Sequence, residues 1–344
     1  HNEAQFIGDV IDTLPQVVDR AYVVDDCSDD DSWEVICDHA DRVNAEYTAT
    51  RDLGEEAAAE SFGFDDRGDD SASRAVEAVS DGGVRFSEPV VPIRHETNLG
   101  RGAAVKTGYR AALADGVDVV AVMDGDGQMD PDIFDDIIDP VARGDAAYAV
   151  GNRLSRSADW TEMPPLRLFG NGLLTLLTRI ASGYWHIRDP QNGYTAISTE
   201  ALDDIDFEAL YDDYGFLNDL LVRLNTADVP VANVPMRARY GDEQSGIHYR
   251  TFIPKLSMLL LWDFLWRLWK KYLPSRNPVV FAYVGGAILT ALGLAGGAVS
   301  LAKRTRQEGF RRVAFGVLSL VTAMVLDRRQ SERRGLNGNR NRRK

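Results

Sequence analysis

Val122-Met123-Asp124-Gly125-Asp126-Gly127-Gln128 closes an apolar run with two carboxylates and an amide that can share one hard cation. Oxygen-only ligands suit Mg²⁺ or Mn²⁺, which keep open positions for phosphate oxygens. The D-x-D-x-Q corner therefore reads as a metal–diphosphate site with Asp124, Asp126 and Gln128 as ligands. An Asp/Gly turn after a strand has the same local composition, and a lone D-x-D does not separate the two. The surrounding elements bear on the choice.

Valine-rich 117–123 predicts a parallel strand, beyond whose carboxyl end ligands of open α/β sheets gather. Upstream, Ala21 to Val24 predicts a strand running into the acidic loop Asp25-Asp26-Cys27-Ser28-Asp29-Asp30-Asp31-Ser32 and a short helix from Trp33 to Ala40. From about Ala45 to Glu88 the chain turns acidic and rich in Gly, Ser and Ala, which predicts an exposed, largely disordered insertion. A strand at Val90-Val91-Pro92-Ile93 follows, and Asn98-Leu99-Gly100-Arg101-Gly102 opens a helix. Another helix after Asp130-Pro131-Asp132 leads to a strand from Ala146 to Val150 that ends at Gly151-Asn152-Arg153. Leu166 to Ala181 and Leu217 to Leu224 carry apolar residues at helical spacing. Alternating strands and helices predict an α/β fold with a mostly parallel sheet and helices on its faces.

The net charge of −15 argues against a nucleic-acid partner, because phosphate neutralisation needs basic patches. With Asp well above Glu, it suits a surface kept hydrated in a salty cytoplasm. Cys27 and Cys37 are too few for a disulfide framework or zinc site and read as packing residues. The five histidines lack the i, i+4 spacing of metal ligands. A first residue of His1, with no signal peptide before the first elements, reads as a chain whose beginning is missing.

Charge reverses towards the end. Phe252 to Tyr272 is apolar and aromatic, with Asp263, Arg267, Lys270 and Lys271 on one helical face, which predicts an amphipathic interfacial helix over about 252–275. Val279 to Ala302 has no charge over 24 residues, enough for the roughly 20 that span a bilayer core. Val313 to Leu326 has only 14. One span leaves the basic tail, 327–344, on the far side. A two-span hairpin over 278–326 returns it to the side of Arg267, Lys270, Lys271 and Arg276, and the positive-inside rule favours that arrangement. Gly293 and Gly297 form a G-x-x-x-G pairing motif.

Six motifs then stand in one order: Asn2-Glu3, Asp25-Asp26-x-Ser28, Asn98-x-Gly100-Arg101-Gly102, Asp124-x-Asp126-x-Gln128, Gly151-x-Arg153 and Asp189-Pro190-Gln191-Asn192-Gly193-Tyr194. In that order the chain resembles the family 2 glycosyltransferases of the GT-A fold, and most closely the dolichyl-phosphate mannose synthase and polyprenyl-phosphate glucosyltransferase branch. The resemblance covers about residues 1–250, apart from the acidic insertion.

It implies an inverting transfer of a hexose from a nucleotide sugar (GDP-mannose or a UDP-sugar) to dolichyl or another polyprenyl phosphate. The enzyme would be a multi-pass membrane protein, its catalytic domain at the cytoplasmic face. By the same resemblance Glu3 belongs to the loop that helps hold the nucleotide, and Asp25 or Asp26 accepts from the base or ribose. Arg101 lies near the diphosphate, and Mg²⁺ or Mn²⁺ sits on Asp124, Asp126 and Gln128. Arg153 and Arg167 bind the acceptor phosphate, for which a planar guanidinium fork is suited. Asp189 is the acceptor-side aspartate, and Asp219 stands where relatives carry an acidic base. Arg237, Arg239 and Ser245 belong to a loop that closes over the substrates.

Two other readings remain: transfer to a hydroxyl of a lipid-linked glycan, and an inactive membrane-attached scaffold. A dinucleotide-binding dehydrogenase is disfavoured because Gly100-Arg101-Gly102 lacks the third glycine of that fingerprint. A processive polysaccharide synthase is disfavoured because no Gln-x-x-Arg-Trp occurs. Neither the sugar, the base nor the oligomeric state is legible.

Overall fold

A computed structural model describes residues 1–61, 86–153, 165–237, 249–299 and 303–342. In chain order the elements are α1 (Ile7–Asp12), β1 (Ala21–Asp25), α2 (Ser32–Ser61), β2 (Val90–Arg94), α3 (Arg101–Ala114), β3 (Val119–Val122), α4 (Phe134–Ala142) and β4 (Tyr148–Asn152). There follow α5 (Pro165–Ser182), β5 (Thr195–Ser198), α6 (Thr199–Asp204), α7 (Phe216–Thr226), β6 (Val231–Pro235), α8 (Tyr249–Arg267), α9 (Pro278–Val299) and α10 (Lys303–Arg342).

β1 and β2 pair in parallel, and β3, β5, β4 and β6 form a second sheet in that order. β5 is antiparallel to both its neighbours whereas β4 and β6 are parallel, so β3, β4 and β6 point one way and β5 alone is reversed. Side chains alternate across a sheet, and the alternation divides the core in two. Tyr148, Val150 and Ile197 pack on one face with Tyr109 of α3 and Leu220, Leu221 and Leu224 of α7. Ala149 and Ala196 face the other way, against Phe134, Ile137 and Val141 of α4. Helices thus cover both faces, as the alternating pattern predicts.

Two expectations are corrected here. The disordered insertion does not begin near Ala45, because α2 continues to Ser61. Residues 45–61 are rich in Ala and Glu, which favour helix without needing an apolar stripe. Asn44 fastens the helix to the sheet by exchanging hydrogen bonds with the Val90 backbone at 2.8 and 2.9 Å. The rest of the segment, from 62 to 85, lies outside the described residues.

The second correction concerns α8. Its polar side chains were expected to face water, but Asp263 and Arg267 are buried. Lys271, in the wider helical turn Leu268–Tyr272 that extends α8, turns inward too. It donates to Asn225 Oδ1 at 2.8 Å and pairs with Asp228 at 2.8 Å, so that of the four only Lys270 is exposed. Met258, Leu261, Trp262, Leu265 and Trp269 are exposed instead. The helix is amphipathic with its polar stripe against protein.

α9 packs against α10, and the two include stretches long and apolar enough to cross a membrane, Pro278–Gly296 and Gln307–Ser331. The second is 25 residues long, so its uncharged run of 14 is only the middle of a longer apolar helix. Gly286 and Gly316 allow the backbones to meet, since a Cβ on Gly286 would stand 2.9 Å from the Gly316 carbonyl oxygen. Gly293 packs likewise against Gly309, at 2.8 Å.

Candidate active site

Three chain segments meet at the carboxyl ends of β3 and β4. β3 delivers Asp124 and Asp126, and the backbone N–H of Gln128 donates to Asp126 Oδ1 at 3.0 Å, closing a tight Asp turn. Arg101, the first residue of α3, donates through Nη2 to both oxygens of Asp124, at 2.6 and 2.7 Å, and lies over the Phe216 ring of α7. The loop before β5 supplies the third segment. Because β5 is reversed, its amino-terminal end lies where β3 and β4 finish: Thr195 pairs with both Val122 and Val150. Gly193 is thereby pressed onto the ion pair, and a Cβ there would fall 1.9 Å from Arg101 Nη2 and 2.7 Å from Asp124 Oδ2.

The same loop carries Asp189, which is buried. Arg153, just beyond β4, grips it with both arms of the guanidinium, Nε to Oδ2 at 2.8 Å and Nη2 to Oδ1 at 3.1 Å. Asn192 steadies the turn by accepting from the Tyr194 N–H at 3.1 Å, and the Gly151 N–H donates to the Tyr194 carbonyl at 2.9 Å.

The acidic loop after β1 is held from within. Asp25 accepts from the Ser28 hydroxyl and stands 3.3 Å from Arg94. Asp26 accepts from the Leu99 and Gly100 amides at 2.9 and 2.7 Å and pairs with His95 at 2.7 Å, which fixes the loop that starts α3. Glu3 is stapled to this region through its amide, which donates to Ser32 Oγ at 2.8 Å. Ile7 and Phe6 then bring α1 against Gly125 and Gly127 of the D-x-D corner.

Asp219 belongs to a different neighbourhood. It accepts from the Tyr211 amide and from Arg223 Nε, both at 3.0 Å, and burial raises its pKa against the opposing pull of Arg223. It shares none of these partners with Asp124 or Asp189. Arg167 lies in the first turn of α5, its side chain outside the described residues, as are Arg239 and Ser245; Arg237 is exposed beyond β6.

Burial lifts the Asp126 carboxyl above the usual carboxylate range, and the Asp124 charge adds to the effect while Arg101 opposes it. Two mutually repelling carboxylates, one half-desolvated, fit a divalent cation. Among the described residues no three His, Cys, Asp or Glu side chains cluster as a complete ligand set. A cation held by Asp124, Asp126 and Gln128 alone would keep positions for substrate oxygens or water, as Mg²⁺ and Mn²⁺ sites commonly do.

Sequence reasoning attached no role to Gly193 although it lies inside a quoted motif; only the spatial approach of Arg101 reveals one. Phe216 and His95 carried no signal beyond ordinary packing residues. Asp263 did carry one, since a lone acid in an aromatic helix is unusual, and the structure buries it against protein rather than exposing it to water.

Residues 62–206 match the family model for glycosyl transferase family 2. Over 150 residues the chain is 31% identical to the UDP-N-acetylglucosamine–dolichyl-phosphate N-acetylglucosaminyltransferase of Methanococcus voltae, covering 42% of this chain and 59% of that protein. Over 151 residues it is 28% identical to the undecaprenyl-phosphate mannosyltransferase of Micrococcus luteus, covering 43% and 61%. The chain thus spans about three fifths of the length of these curated relatives. Among solved structures, glucosyl-3-phosphoglycerate synthase from Mycobacterium tuberculosis, in complex with uridine diphosphate, aligns with a TM-score of 0.44 at 19% identity, covering 77% of this chain and 76% of that one.

Proposed function

We propose that this chain, which belongs to glycosyl transferase family 2, moves a hexose from a nucleotide sugar to a polyprenyl phosphate, dolichyl phosphate in the first instance, at the cytoplasmic face of a membrane. The observation that carries the proposal is the convergence, through the reversed strand β5, of a cation corner (Asp124, Asp126, Arg101) with a second, arginine-bearing corner (Arg153, Asp189). One suits a diphosphate and the other a phosphate monoester.

In this reading Asp124, Asp126 and Gln128 hold Mg²⁺ or Mn²⁺, whose chemistry is to stabilise the charge that develops on the departing diphosphate. Arg101 shares Asp124 with the cation and turns its remaining donors to the diphosphate. Asp25 and Asp26 shape the nucleotide pocket together with the Glu3 segment. An ionised phosphate acceptor needs no base to remove a proton, in contrast to a hydroxyl. The bidentate grip of Asp189 on Arg153 supports a positioning role: it presents the guanidinium to the acceptor phosphate, with Arg167 as a second ligand. Asp219, held by Arg223, is then a support of α7, and the segment with Arg237, Arg239 and Ser245 closes over the bound pair. The exposed apolar face of α8 and the hairpin α9–α10 keep the domain where a lipid-borne phosphate projects from the bilayer.

The deciding assay uses membranes containing the chain, dolichyl phosphate, Mg²⁺ or Mn²⁺, and labelled GDP-mannose, UDP-glucose or UDP-N-acetylglucosamine in turn. Chelator-sensitive label in the lipid phase from one donor supports the reading and names the sugar. Absence of transfer from every donor, by protein that still binds nucleotide, overturns it in favour of a glycan-hydroxyl acceptor or a scaffold.

A further inference from the structure

Arg267 closes α8 and is fully buried. A guanidinium has five N–H donors and no acceptor, and each donor here has an oxygen. Nε donates to the Ala181 carbonyl at 2.7 Å, and Nη2 to the Ile180 carbonyl at 3.0 Å and Asp327 Oδ2 at 2.7 Å. Nη1 donates to Asp327 Oδ1 at 3.0 Å and to the Tyr272 hydroxyl at 3.5 Å. These acceptors join separate parts of the molecule. Ile180 and Ala181 offer last-turn carbonyls of α5, which a helix leaves unpaired and which favour a cation. Asp327 lies in α10, near the end of the second apolar stretch, and is itself fully buried. Gly183, just past α5, leaves the space: a Cβ there would stand 2.6 Å from Arg267 Nη1. A buried ion pair adds little net stability over apolar packing of the same volume, but a bidentate fork tolerates few alignments.

We propose that Arg267 and Asp327 are positioning residues that lock the carboxyl end of α5 to the membrane hairpin, and so set the height at which the α/β body, with its Arg153–Asp189 corner, stands over the bilayer. The inference rests on the lipid-phosphate reading given above. The bilayer sets the height of an embedded acceptor's phosphate. A soluble acceptor has no such height, and finds the site wherever it stands. The joint therefore matters for the first kind of acceptor and not for the second.

The test reconstitutes the full chain in liposomes and measures transfer to a long-chain polyprenyl phosphate in the bilayer and to a short, water-soluble isoprenyl phosphate. Unaltered protein is compared with Asp327→Asn and with the double variant Arg267→Met/Asp327→Leu, which removes both charges and leaves neither buried alone. The expected result is a fall in kcat/KM for the embedded acceptor on the order of 10- to 100-fold, with kcat/KM for the soluble acceptor and KM for the nucleotide sugar within about twofold of the unaltered protein. Equal losses with both acceptors, or no loss with either, overturn the proposal. If unaltered protein uses neither acceptor while binding nucleotide sugar, the lipid-phosphate reading fails and takes the proposal with it.

Discussion

Gly193 stands where Arg101 and Asp124 meet, and its missing side chain is what lets the two touch. Gly193→Ala is expected to lower kcat/KM by roughly 100-fold through displacement of this pair, while a thermal melt followed by circular dichroism changes little. Undiminished turnover would mean that the ion pair moves aside freely. Asp124→Ala and Asp126→Ala, measured in the same assay, should each lose at least about 100-fold in transfer if the proposed cation stabilises charge on a leaving diphosphate; retained activity in either would remove that residue from the proposed metal site. Asp263 makes a prediction about stability instead. Burial pushes its carboxyl up to about 8, with the neighbouring Asp219 charge adding and Arg223 opposing. For an acid raised on folding, the folded state holds the extra proton, so stability is greatest below the unfolded pKa and declines as pH rises from about 4 towards 8. Asp263→Asn should therefore stabilise the protein at pH 8 by on the order of 2 kcal/mol and make little difference near pH 4. Melts at the two pH values check it, and an equal effect at both would show that the carboxyl is not neutral in the fold.

Among the elements, α8 and β5 most alter what the sequence suggests. A helix periodicity shows that two faces differ without saying which environment each one meets. On the polar face Arg267 and Lys271 find partners in α5, α7 and α10, and the aromatic face is left outside. Trp262 and Trp269, 68% and 61% exposed, should then be quenched by brominated lipids in reconstituted vesicles. Fluorescence indifferent to the bromines would take lipid off this face. β5 is four residues long with no strong alternation of its own, and its short run between a turn-rich loop and α6 gave no reason to expect a strand. It is an interior strand because β3 and β4 both leave an edge open to it. β1 to β4, α5 and α7 were legible to within a few residues, since apolar periodicity is a local property, whereas β6 was not expected and α2 and α10, the two longest helices, run well past their apolar stretches.

The whole molecule joins a strongly acidic α/β body to two apolar helices and a basic end. If α9 and α10 both cross, the tail lies on the same side as the α/β body. Trypsin added to vesicles with that body facing outward should digest the body and the tail together and leave a protected fragment containing both apolar stretches. A protected tail would mean a single crossing. Neither the inward turn of α8 nor the path of the hairpin shows in composition. Both depend on contacts such as Arg267 with Asp327, which are 60 positions apart.

By itself, the sequence determined which side chains are candidates for holding a cation or a phosphate, where most strands and helices run, and that the carboxyl-terminal part is apolar enough for lipid. Those properties reside in residue type and short-range spacing. Only the tertiary structure decided that Arg101 pairs with Asp124 and Arg153 with Asp189, that Asp219 pairs with Arg223 away from both, and that the polar stripe of α8 turns inward. Each depends on which distant segments come to lie side by side, and long-range pairing follows from packing the whole core rather than from any local pattern.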